Sequence, residues 1–139
     1  MLQSVDGLAN LRILVAEDES LIALNLEAML EQFGCTVIGP VADVDRIVAI
    51  AEAERPDGAL LDVNLRGRQV FDVIPALTAL NIPVVLTSGY DDATLFPAAF
   101  RALARIAKPF DERELRRICL RTMVRDRGRR PPEPPQAIA

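Results

Sequence analysis

The chain has 139 residues, half of them hydrophobic and only 4% aromatic, with 16 basic and 20 acidic residues for a net charge of −4. That length suits one domain around an aliphatic core, and the acidic balance argues against general nucleic-acid binding. The chain has no histidine, which excludes histidine-based triads, most zinc sites and a phosphohistidine relay within it.

Strand and helix periodicities alternate along the chain. Leu11–Ala16 (LRILVA) is a short apolar run suited to burial in a parallel sheet. Ser20–Phe33 has helical spacing. Leu21, Leu24 and Ala28 share one face, with Ile22, Leu26, Met29 and Phe33 beside it, and Gly34 supplies a stop. Cys35–Gly39 (CTVIG) reads as a second strand. Asp43–Arg55 reads as a helix capped by Asp43, with Val44, Ile47, Val48 and Ala51 inward, ended by Pro56-Asp57-Gly58. Ala59–Asn64 (ALLDVN) is a third strand. Val70–Leu80 is a weaker helix that Pro75 shortens or bends. Pro83–Ser88 (PVVLTS) is a fourth strand. Asp91–Ala102, interrupted by Pro97, fits a short helix, a 3₁₀ turn or a loop, and Leu103–Lys108 is a weak fifth strand ended by Pro109. Asp111–Arg125 is a last helix, with acids in its first turn and arginines towards its end, as the helix dipole favours.

This order predicts a three-layer α/β sandwich: a five-stranded parallel sheet with helices on both faces, its helix between the fourth and fifth strands reduced. Residues 1–10 form an N-terminal extension, 11–125 the domain, and 126–139 a Pro/Arg-rich tail with no means of building a packed element. Cys35 and Cys119 lack CxxC or metal-ligand spacing and read as core thiols of a reducing compartment. Met1–Asn10 lacks the basic start and apolar run of a secretory signal. No stretch approaches the roughly 18 apolar residues of a membrane span. A cytoplasmic location without membrane insertion is expected.

In such folds ligands gather at the carboxyl ends of the strands, beside the point where strand order reverses. That edge collects Glu17-Asp18-Glu19 after the first strand, Asp62 at the third, Thr87-Ser88-Gly89 at the fourth and Lys108-Pro109 at the fifth. Carboxylates about 4 Å apart repel by about 4 kcal/mol at an effective dielectric near 20, so three together call for a cation. Oxygen donors without histidine or cysteine favour a hard ion, Mg²⁺ first. The three apolar residues before Asp62 carry its charge towards a buried edge, where a carboxylate is costly without a partner. Lys108, the chain's only lysine among fifteen arginines, supplies one: a compact ammonium acts as a point charge on a phosphoryl oxygen.

As a set, these residues resemble bacterial response-regulator receiver domains, from about Leu11 to Arg125. The resemblance implies a flavodoxin-like strand order 2-1-3-4-5. It makes Asp62 the phospho-acceptor, Ser88 the hydroxyl (Thr87 its rival) and Lys108 the family's lysine. Glu17, Asp18, Asp62 and the Asn64 backbone carbonyl become the Mg²⁺ ligands. It further implies a phosphorelay switch that takes its phosphoryl group from a histidine kinase or phosphotransfer protein. Such a switch is not an enzyme beyond its own phosphorylation and dephosphorylation, and it signals through a downstream protein or a phosphorylation-dependent homodimer. Thr87-Ser88-Gly89-Tyr90 is similar to a subgroup of stand-alone receivers. One position departs from the pattern: Arg105 stands where many members carry a switch aromatic, leaving Tyr90, Phe96 or Phe100 to take that part.

Two other classes compete with this reading. A receiver-like adaptor that is never phosphorylated would be expected to lose part of the acidic set, Ser88 or Lys108. A Mg²⁺-dependent phosphohydrolase would carry a paired Asp-x-Asp on its first strand. The charge is also uneven: residues 1–110 hold 8 basic and 15 acidic residues, whereas 111–130 hold 8 arginines and 4 acids. The arginine-rich end reads as a solvated helix face and a loose tail, with docking of an acidic partner or nucleic acid as the other reading.

Overall fold

Apolar runs that can be covered on both sides become the strands, and the amphipathic segments between them supply the cover. The computed structural model describes residues 7–89 and 96–124. In chain order these form β1 (Arg12–Ala16), α1 (Ser20–Gln32), β2 (Thr36–Val41), α2 (Val44–Glu54) and β3 (Gly58–Asp62). A small hairpin follows, β4 (Asn64–Leu65) and β5 (Arg68–Gln69), then α3 (Ile74–Ala79), β6 (Val84–Ser88), β7 (Ala104–Ala107) and α4 (Glu112–Cys119). The main sheet has the order β2-β1-β3-β6-β7 and is parallel throughout, which is 2-1-3-4-5 counted over its five strands, as expected.

Alternate strand residues enter opposite layers. Leu14, Ala59, Leu61 and Leu86 pack with Ile47 of α2 and Leu77 of α3. Ile13, Val15, Leu60 and Val85 pack with Leu26 of α1 and Leu115 of α4. Cys35 and Cys119 both lie in the second layer, where burial pushes their thiols up to about 11 and about 12, so both stay protonated.

Several expected boundaries move for identifiable reasons. The inward stripe of α1 is Ala23, Leu26 and Leu30, whereas Leu21 (81% exposed), Leu24 (61%) and Ala28 face solvent. The helical period fits two stripes roughly equally well, and the neighbouring layer selects one. β2 runs on to Val41 through a bulge against β1. At Gly39 φ is +114°, and an added Cβ would sit 2.7 Å from the Val15 carbonyl oxygen, so only glycine suits the bulge. β3 ends at Asp62, because Asn64 belongs to the hairpin.

Pro75 sits in the first turn of α3, where a missing amide costs nothing, and the residues before it form a 3₁₀ turn, Phe71–Val73. The last helix is α-helical only to Cys119 and continues as a π-helical turn, Leu120–Val124. Between β6 and β7 the described residues hold one 3₁₀ turn, Ala98–Phe100; Tyr90 and most of the expected element's first half lie outside them. Among the described residues, no helix is long and apolar enough to cross a membrane.

The two stripes of α1 differ in energy as burial dictates. Leu26→Ala should cost about 2–5 kcal/mol of unfolding free energy in urea titrations, and Leu24→Ser within about 0.5 kcal/mol of nothing.

Candidate functional site

Strand order reverses between β1 and β3, and the carboxyl ends of β1, β3, β6 and β7 meet there. The β2 extension matters to this edge: the Val41 carbonyl accepts the Glu17 amide at 3.0 Å, continuing the ladder one residue past β1. Glu17 therefore leaves the sheet on fixed backbone. Its Oε2 accepts the Glu19 amide at 3.1 Å, and its Oε1 lies 3.0 Å from Lys108 Nζ. Asp62 ends β3 paired in register with Thr87. Asp62 Oδ1 accepts the Asn64 amide at 3.1 Å, and Oδ2 accepts Lys108 Nζ at 2.7 Å.

Asp18 is held from another direction. The β4–β5 hairpin turns through Arg66 (φ 51°) and Gly67 (φ 83°), both left-handed as a two-residue turn requires. This aims the Arg66 amide at Asp18 Oδ2, 2.8 Å away. That backbone donor was not anticipated from sequence; Arg66-Gly67 between short polar and apolar pairs was the available signal.

Glu17, Asp18 and Asp62 thus bring one oxygen each within 4.8 Å of the others. Lys108 leaves β7 with its amide donating to the Ser88 carbonyl at 2.9 Å, which ties the ends of β6 and β7 together. Thr87 and Ser88 are both buried at this edge, Ser88 as the last residue of β6. Arg105 lies exposed on β7 with its guanidinium 4.6 Å from the centre of the Phe96 ring. Phe96 in turn meets Phe71 edge-on at 5.4 Å, and Phe71 stacks on Phe100 at 5.4 Å. Phe71, buried with Phe96, was not among the aromatics expected beside Arg105.

Burial is the main cause lifting the Glu17 carboxyl to about 7; neighbouring Asp62 pushes the same way, and the Glu19 amide and Lys108 oppose it. Burial alone would lower Lys108, but hydrogen bonds and charge from Asp62 and Glu17 outweigh it and hold the ammonium above its ordinary range. Glu17 Oε1 is fully buried, and among the described residues its one polar neighbour is the Lys108 ammonium, 3.0 Å away. An all-oxygen set of three carboxylates within 4.8 Å of one another, with a single ammonium to offset them, fits a hard divalent cation.

A doubly wound parallel sheet with such a cluster and a lysine at its carboxyl edge defines a class of signalling domains. The chain belongs to the response regulator receiver domain family, whose sequence profile matches residues 13–119. Such receivers are signalling modules of two-component systems. The transcriptional regulatory protein PdtaR of Mycobacterium tuberculosis is 32% identical over 107 residues, 75% of this chain and 52% of that protein, so the chain spans about half of PdtaR's length. The solution structure of SdrG from Sphingomonas melonis Fr1 is similar at 36% identity and a TM-score of 0.72, over 81% of this chain and 94% of SdrG. The receiver domain of the sensor histidine kinase PA1611 from Pseudomonas aeruginosa, crystallised with a magnesium ion in its active-site cleft, is 27% identical with a TM-score of 0.71, over 84% of this chain and 99% of that one.

The raised Glu17 carboxyl has a thermodynamic signature. A carboxyl bound more tightly to its proton when folded stabilises the fold fully below about 4.5, and loses that contribution as pH rises through about 7. In chelator, the melting temperature of wild type minus that of Glu17→Gln should fall between pH 5 and 8. Added Mg²⁺ should raise the wild-type melting temperature more at pH 8 than at pH 5; a flat difference would remove Glu17 as the responsible group.

Proposed function

We propose that the chain is a cytoplasmic, Mg²⁺-dependent phosphorylation switch that accepts a phosphoryl group on Asp62 from a histidine kinase or histidine phosphotransfer protein. The observation that carries this reading is Lys108 Nζ, set 2.7 Å from Asp62 and 3.0 Å from Glu17 inside a buried acidic cluster. Glu17, Asp18, Asp62 and the Asn64 carbonyl would hold the ion. When bound, Mg²⁺ offsets charge on the carboxylates and on the incoming phosphoryl oxygens.

An Asp62 carboxylate oxygen attacks the phosphorus of the donor's phosphohistidine. The new O–P bond forms as the N–P bond breaks, and the leaving imidazole keeps the N–P electron pair. Lys108 and the Ser88 hydroxyl, with Thr87 as the alternative, pair with the transferred oxygens, so the work is positioning and electrostatics. Water later cleaves the acyl phosphate and resets the domain, which turns over no other substrate. Leu21 and Leu24 support a protein donor: they are the large hydrophobics exposed among the described residues, and α1 starts two residues after Asp18.

Output runs through contact with a downstream protein or a second phosphorylated copy. Ser88 pairs with Ala107 and Leu86 with Arg105, so a phosphoryl group that draws Ser88 inward also moves β7 and the Arg105–Phe96 stack.

Intact mass after incubation with acetyl phosphate and Mg²⁺ tests the chemistry. Wild type should gain one phosphate, the gain vanishing with chelator and in Asp62→Asn. Lys108→Arg should keep its circular-dichroism spectrum and label at least about tenfold more slowly, because a planar guanidinium replaces a point charge. Ser88→Ala should slow labelling more than Thr87→Ala. No gain in a protein that also binds no Mg²⁺ would favour an unphosphorylated adaptor.

A further inference from the structure

The outward face of α4 has no part in the site above. Leu115, Ile118 and Cys119 turn inward, which leaves Arg113, Arg116, Arg117 and Arg121 exposed. With half-buried Leu120 these four line one open groove of about 440 Å³. Arg116 lies over the Phe33 ring at 6.0 Å from its centre. Among the described residues no carboxylate pairs with Arg113, Arg117 or Arg121.

Folding alone does not account for this stripe. The helix dipole favours cations in the last turns, whereas Arg113 stands in the first, where a cation is disfavoured. Arg113 and Arg117 also stand at i,i+4 in α4, where like charges weaken a helix, and Arg121 follows in the π-helical turn. Guanidinium forks over an aliphatic floor match carboxylates, which they bind in bidentate pairs.

Charge selects among occupants. The chain's own residues 125–139 hold four arginines against Asp126 and Glu133, so the tail repels the groove. A symmetric second copy would set arginine against arginine. A nucleic acid longer than the groove would meet Asp111, Glu112 and Glu114 at the helix start, on a domain whose first 110 residues carry 15 acids against 8 bases. A short acidic segment ends before it reaches them.

We propose that the arginine groove of α4 docks an acidic segment of a partner protein, a carboxylate-rich stretch with one apolar side chain seated on Leu120. This surface does not depend on the chemistry of Asp62.

Fluorescence anisotropy on the full chain tests it, with a labelled glutamate-rich peptide carrying one leucine as the probe. Mixed-sequence single-stranded RNA and phosphatidylcholine/phosphatidylglycerol vesicles are measured alongside. The peptide should bind, and Arg113→Glu with Arg117→Glu should weaken it at least about tenfold while the circular-dichroism spectrum is unchanged. If that pair misfolds, Arg121→Gln alone should still weaken binding. The charge-matched pair Arg46→Glu with Arg55→Glu, on the opposite layer, should leave binding as it was. No peptide binding, an equal loss in the α2 pair, tighter binding of RNA or vesicles, or a loss that follows only Arg127, Arg129 and Arg130 would overturn the proposal.

Discussion

Three carboxylates share one edge of a sheet, and a single ammonium stands between two of them. Everything distinctive about the domain depends on that constraint. Unit charges about 4 Å apart repel by about 4 kcal/mol at an effective dielectric near 20, so the cluster persists only if backbone and lysine hold it against its own field. Lys108 bridges Asp62 and Glu17. The amides of Glu19, Asn64 and Arg66 each donate to one of the three acids. Every carboxylate is thus pinned by a backbone donor, and a charge change at this edge reaches the chain as a force on main-chain segments.

Those segments are placed by features remote from chemistry. The bulge at Gly39 lets β2 run far enough to pair with Glu17, and the left-handed Arg66-Gly67 turn folds the hairpin back onto Asp18. On the other side, the ladder that pairs Asp62 with Thr87 and Ser88 with Ala107 links β3 to β7, where exposed Arg105 covers the buried Phe96 ring. A short path of hydrogen-bonded backbone therefore joins the acids to the exposed Arg105 and the buried aromatic cluster beneath it.

Much of this was legible in sequence because it follows from residue type and order. Central strands of a parallel sheet are buried on both faces and read as unbroken apolar runs. Ile13–Ala16 and Ala59–Leu61 announced themselves in that way, and parallel order then placed Glu17, Asp62 and Lys108 on one edge. What was not legible depends on three dimensions. The stripe of α1 that faces inward is chosen by the layer it meets, so Leu21 and Leu24 read as readily inward as outward. The extension of β2 runs through the Gly39 bulge, and Gly39-Pro40 reads in sequence as the end of a strand. The Arg66 amide is a backbone donor whose only trace in sequence is the Gly67 that allows its turn, and Phe71 acquires meaning only when Phe96 and Phe100 close on it from a distant segment.

The strain at the acidic edge is tolerable because it is local and the rest of the sheet is not strained. Leu14, Leu60, Leu61 and Leu86 are fully buried, and burying each contributes about 1.5–3 kcal/mol. A few such residues in the middle of the strands offset one unfavourable carboxylate pair at their ends. The division also explains why the charges sit where strands stop: one residue earlier, the same acids would lie in the apolar layers without backbone donors, where an unpaired charge costs more than these leucines return. A cation at the edge would relieve repulsion that the core already offsets, so on burial alone the domain folds with or without one.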